Sequence, residues 1–229
     1  MKTMKQSSKF VTEMQVRLRL FRRVLYRSWK AIILRRAKSL IQSIDYESEK
    51  TALLSTPVIF LSTFESPLDF WVLAHLFQGK DLTFLFPRNL PEEKVLMKLK
   101  MTNHVLCFDE KVGYRFLRGL LAALRDFNRS VVISPQAAEK YVAGLSVDPV
   151  VVVRIAMMAN VPIVPVVTKW GSGKCRVWVG SRIFISPRSE EFKDIFFKRK
   201  GLRKFKELPN EDLMAIGQRI FSKLEHTAN

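Results

Sequence analysis

Apolar positions in this chain follow two periods in alternation. Short runs rich in β-branched and aromatic residues, bounded by turn residues, predict strands at 57–62, 82–86, 104–108, 130–134, 162–168, 176–179 and 182–185. Between them, apolar residues recurring every three or four positions predict helices at 66–78, 91–101, 112–128, 149–160, 190–200 and 210–226. Asp148-Pro149 and Pro209-Asn210 supply helix starts, and Gly201 a stop. Strands alternating with helices imply a single α/β domain, residues 49–229, with a largely parallel sheet covered on both faces.

The first 48 residues carry a different pattern. Met14, Leu18, Phe21, Leu25, Trp29, Ile32, Ile33, Leu40 and Ile41 are spaced by three, four or seven, the period of one helix face. Arginines, among them Arg17, Arg22, Arg23, Arg35 and Arg36, fill the rest of the wheel. Residues 1–40 hold twelve Lys and Arg against the single acid Glu13. A basic amphipathic helix with Trp29 on its apolar side is expected to lie in a membrane interface, each cation contributing about 1 kcal/mol on an anionic leaflet. Cations recur too often for a span of about 20 apolar residues, and no uninterrupted apolar core marks a secretory signal. The same pattern also fits a helix docked on the domain, a calmodulin-type target or an RNA-binding helix. A second basic cluster from Arg188 to Lys206 either meets the same surface or is simply solvated.

Charge sharpens this picture. Across 229 residues, 48% of them hydrophobic, the formal net charge is +18 and the pI about 10.2, which directs the chain towards anionic partners. No zinc-finger, RRM or KH signature appears, so nucleic acid is not expected and an anionic membrane surface is. Cys107 and Cys175 lack metal-binding or disulfide spacing, so a reducing compartment is expected, with no metal or cofactor. The expected location is peripheral, on the cytoplasmic face of a membrane.

Three stretches stand in a telling order: T-F-E-S-P-L-D at 63–69, V-V-I-S-P-Q-A-A-E-K at 131–140 and V-P-I-V-P-V at 161–166. Together they resemble the glycerophospholipid acyltransferase family, typified by 1-acylglycerol-3-phosphate acyltransferase, whose motifs are N-H-x-S-x-x-D, F-P-E-G-T-R-S and V-P-I-V-P-V. Phe64 and Gln136 stand 72 residues apart, an interval similar to that between the family's first two of these motifs. The resemblance covers roughly residues 50 to 185 and implies the family's fold, with a mixed, largely parallel sheet flanked by helices. Ser66, Asp69, Pro135, Pro162 and Pro165 match; Thr63, Phe64, Gln136, Ala137 and Ala138 depart.

In the family, a histidine takes the proton of a lysolipid hydroxyl as it attacks an acyl thioester, and the aspartate orients the imidazole. Phe64 occupies the base position and cannot accept a proton, a loss of about 10²- to 10⁴-fold. The resemblance implies substrate contacts at Ser66 and Gln136, with Lys140 as a phosphate-binding cation a residue or two out of register, and a catalytic role at Asp69. Ser66-Pro67-Leu68-Asp69 is equally a helix start in its own right, with Ser at the N-cap, Pro at the first position and an acid at the third. Among the other histidines, His75 lies about 120° around the helix from Asp69, which makes no dyad. His104, in N-H-V-L-C-F-D, is a candidate second base. It stands only 32 residues before Gln136 and in a run that reads as a buried strand.

Two readings follow from the resemblance. In one, the chain is a membrane-associated acyltransferase-fold protein of phospholipid metabolism that binds lysophospholipid or acyl chains and has lost acyl transfer, a pseudoenzyme. In the other, it is an active acyltransferase that moves an acyl group from acyl carrier protein or a coenzyme A thioester to a lysophospholipid, using a non-standard base.

Overall fold

In the computed structural model, the described residues are 28, 31–32, 34–47, 56–63, 66–78, 81–87, 104–108, 114–135, 148–197 and 208–228. The expected helix at 91–101 and most of the basic N-terminal segment lie outside them.

The short apolar runs assemble into a seven-stranded mixed sheet: β1 (Ile41–Tyr46), β2 (Ile59–Ser62), β3 (Leu82–Pro87), β4 (His104–Phe108), β5 (Ser130–Ile133), β6 (Ile163–Gly171) and β7 (Lys174–Val179), in the order β1-β7-β6-β2-β5-β3-β4. The block β6-β2-β5-β3-β4 is parallel throughout, β7 runs antiparallel to β6, and β1 runs parallel to β7. Helices α1 (Asp69–Leu76), α2 (Tyr114–Arg125), α3 (Pro149–Ala159), α4 (Lys193–Phe197) and α5 (Asn210–Ala228) flank it.

Period-two alternation divides the core into two layers. Ile59, Leu61, Val131, Ile133, Ile163 and Val167 pack with α2, α3, α4 and α5. Val58, Phe60, Val132, Val164 and Val166 point the other way, into α1 and Ala37 of the helical residues 34–40. Each fully buried large side chain contributes roughly 1.5–3 kcal/mol. Aromatic pairs reinforce the second layer: Phe60 stacks on Phe77 at 3.9 Å between centroids, and Phe70 meets Phe84 edge-on at 5.9 Å.

Helix ends follow their sequence signals. Asp148 Oδ1 accepts from the Val150 N–H at 2.8 Å and Pro149 has no N–H that needs an acceptor, so α3 starts there. It stops at Asn160, in the left-handed region at φ 55°, where Val161 N–H returns to the Ala156 carbonyl. Arg219 of α5 clamps both carboxylate oxygens of Asp194 in α4, at 2.9 and 2.5 Å, which holds that carboxyl below its usual range.

Two expectations are corrected. Residues 41–46, which the helical spacing assigns to the basic helix, form edge strand β1, with Ile41 opposite Cys175 and Tyr46 opposite Val179. Apolar Ile41, Ile44 and Tyr46 fit a pleated edge, and β7 offers the unpaired backbone groups that a helix would leave unused. The run 182–185 makes only the bridge between Ile183 and Ile163. Extension fails in both directions for want of a donor: Pro165 has no N–H, and the Val161 N–H is committed to α3.

Candidate functional site

The helix that follows β2, α1, packs on one face of the sheet, and α3, the next described helix after the adjacent strand β5, packs on the other. Neighbouring parallel strands whose following helices lie on opposite faces mark a topological switch point, and open α/β sheets bind ligands in the crevice at the C-terminal ends of such strands. The stretches S-T-F-E-S-P-L-D and I-S-P-Q-A therefore begin side by side, although 72 residues separate Ser62 from Ser134.

Buried hydroxyls tie these exits together. Ser134 Oγ donates to the Ser62 carbonyl at 2.9 Å. Thr63 Oγ1 accepts from the Thr168 N–H of β6 at 2.8 Å and lies 3.2 Å from Thr168 Oγ1. Ser62, Thr63, Ser134 and Thr168 are all buried, so neutral hydrogen bonds set the spacing of β2, β5 and β6 at the crevice floor.

Ser66 and Asp69 follow β2 at this end of the sheet. Ser66 Oγ accepts from the Leu68 N–H at 3.3 Å, and Asp69 Oδ2 accepts from the Ser66 N–H at 2.9 Å, a reciprocal pair that closes the turn before α1. The helix starts at Asp69, not at the expected cap Ser66, and its N-cap position, Leu68, has no side-chain cap bond. Asp69 is nonetheless fully buried. Its other oxygen, Oδ1, accepts the indole N–H of Trp170 at 2.6 Å. The carboxylate thus joins the start of α1 to β6, and one of its acceptor positions is filled by a donor that cannot take up a proton. Burial raises the cost of leaving either oxygen unpaired.

His104 is not brought to this place. It pairs with Thr83 of β3, which pairs with Val131 of β5, which pairs with Ile59 at the start of β2. Three interstrand spacings, roughly 14 Å, separate His104 from β2. It opens β4, whereas Asp69 follows the far end of β2. The backbone register therefore keeps His104 apart from Asp69, and Asp109, the acid of its own N-H-V-L-C-F-D stretch, lies outside the described residues.

Of the other expected site residues, Phe64, Gln136, Lys140, Arg17, Arg22, Arg23 and Trp29 lie outside the described residues. Arg35 and Arg36 are exposed on the helical residues 34–40. Trp170 was not among the sequence-derived candidates. Its only signal there is that an indole N–H near a strand end needs a partner, which the sequence does not identify.

A cavity of about 380 Å³ lies apart from the crevice, among α2, α3 and the start of α5, lined by Leu117, Leu121, Val151, Ile155 and Met158 with Arg118 and Arg154. Among the described residues there is no cluster of His, Cys, Asp and Glu able to hold a metal ion, and no helix long and apolar enough to cross a membrane.

No protein-family model matches the chain, and no curated protein matches it. Among solved structures it is similar to the crystal structure of the 1-acyl-sn-glycerophosphate (LPA) acyltransferase PlsC from Thermotoga maritima, with 15% identity, 89% of this chain and 81% of that one covered, and a TM-score of 0.47.

Proposed function

We propose that this protein is a membrane-associated, acyltransferase-like protein of phospholipid metabolism that binds a lysophospholipid or acyl chain at the crevice between β2 and β5 and does not transfer the acyl group. The observation that carries this reading is the state of Asp69. In the family that motifs 63–69 and 161–166 resemble, the matched aspartate orients a histidine; here Asp69 accepts from the Ser66 N–H in the turn before α1 and from the Trp170 indole at 2.6 Å. Phe64, at the matched base position, has no proton acceptor, so neither half of the dyad is equipped for general-base chemistry. Substrate contacts at Ser66, Gln136 and Lys140 belong to the same reading, with Phe64 adding apolar surface suited to an acyl chain.

Thioester consumption by the purified full chain, with acyl-coenzyme A or acyl carrier protein as donor and lysophospholipid as acceptor, tests it. The expected result is no turnover above the donor's spontaneous hydrolysis, together with saturable binding of lysophospholipid. Phe64→His is expected to restore little, because Asp69 remains held by Trp170. Acceptor-dependent turnover by the unaltered protein would overturn the reading and establish an acyltransferase with a non-standard base.

A further inference from the structure

The end of the sheet that bears the crevice also bears a cationic rim. Ser62, the last residue of β2, is level with Val166, and β6 continues beyond it to Gly171. The chain then turns through Ser172 and Gly173, at φ 52° and 73°, the left-handed pair that closes a two-residue hairpin. β1 begins beside this turn, with Ile41 opposite Cys175, and helical residues 34–40 lead directly into it. Stretches 34–42 and 169–176 therefore meet at one end of the molecule.

Together these stretches carry Arg35, Arg36, Lys38, Lys169, Lys174 and Arg176, and neither contains an Asp or Glu. All except half-buried Lys169 are exposed. The Lys174 ammonium donates to the Ser39 carbonyl, and Arg176 Nε donates to Gln42 Oε1 at 3.2 Å, which ties the hairpin to the entering chain. An ammonium has three donors and a guanidinium five, so these bonds leave donors to spare. Lys169, Trp170, Lys174 and Arg176 line a concave surface of about 620 Å³, and Trp170 joins it to the crevice through Asp69.

We infer that this rim is a docking surface for the phosphates of an anionic bilayer, and that it turns the crevice end of the sheet towards the membrane. The inference rests on the lipid-binding reading and adds to it an orientation and three cations, Lys169, Lys174 and Arg176, from outside the basic N-terminal segment. A bilayer fits better than nucleic acid because Ile32, 58% exposed on the approach to Arg35, finds an apolar boundary below lipid head groups and nothing to bind on a phosphodiester chain.

The test is co-sedimentation of the full chain with phosphatidylcholine vesicles, with and without phosphatidylglycerol. Lys169→Gln combined with Arg176→Gln is expected to weaken binding to the anionic vesicles about 25-fold, at about five-fold per cation. Gly171→Glu keeps the inference testable should that pair misfold, since a Cβ at Gly171 meets nothing within 4 Å. It is expected to weaken binding in the same direction by reversing charge at the rim. Unaltered protein that binds, with variants that bind equally well, overturns the docking surface and leaves the lipid-binding reading standing. Unaltered protein that ignores anionic vesicles overturns membrane association itself. Variants impaired towards an RNA oligonucleotide, with no vesicle binding by any form, would assign the rim to nucleic acid and overturn the inference.

Discussion

Removing the indole N–H at position 170 leaves the buried Asp69 Oδ1 without that donor, and the size of the resulting loss measures how far Asp69 serves structure. Trp170→Phe is expected to lower unfolding stability by about 1.5–3 kcal/mol, the range for a hydrogen bond to a charged group, as read from the urea midpoint at unchanged slope. Asp69→Ala removes the bond from the Ser66 N–H as well and is expected to cost more. The double variant should show a coupling of about 1–3 kcal/mol, because each single change removes the same bond. A coupling near zero would mean that the 2.6 Å contact contributes nothing in solution. The Ser66–Asp69 half of this site was legible in the sequence as a local turn, since the two residues are three apart, although α1 begins at Asp69 and not at the expected cap Ser66. Its other half was not: Trp170 lies 101 residues away, and no local pattern records which strand end faces which helix start.

Among the elements, α3 and α5 show how closely two helices approach when one contributes a glycine. A Cβ at Gly217 would stand 2.5 Å from Pro149 Cβ and 3.1 Å from the Pro149 carbonyl carbon. Alanine favours an isolated helix over glycine by about 1 kcal/mol, yet here it must displace the backbone at the start of α3. Gly217→Ala is therefore expected to destabilise the fold by about 1–3 kcal/mol net, seen as a lower Tm; a rise in Tm would show that the helices part without cost. Strand and helix positions in the apolar core were legible because period two and period three-to-four are local properties. The run 182–185 looked like a strand for the same reason, and failed as one because Pro165 and Val161 on the facing segment supply no free N–H. Residues 41–46 looked helical because Leu40 and Ile41 continued a spacing begun earlier, and the open edge of β7 drew them into the sheet.

At the scale of the whole molecule, the formal charge of +18 is asymmetric: the first 40 residues hold twelve cations and one acid. The basic segment runs into the sheet at the hairpin end, so a truncation that tests it must stop before residue 34 to preserve the contact of Ala37 with the core and all of β1. Deleting residues 1–30 is expected to reduce binding to anionic vesicles by at least ten-fold at low salt, while the circular dichroism of the sheet is unchanged. Unchanged sedimentation would remove the segment from the membrane reading. The α/β class, the largely parallel sheet, the Ser66–Asp69 turn, the cap at Asp148 and the basic character of the N-terminal segment were determined by the sequence alone, since each depends on neighbours within a turn or a strand. Only the tertiary structure decided that His104 belongs to a distant edge strand, that Trp170 occupies Asp69, and that the two cationic stretches meet beside the crevice. These depend on strand order and register, which arise when the two apolar layers of the sheet are buried together and leave no trace in local spacing.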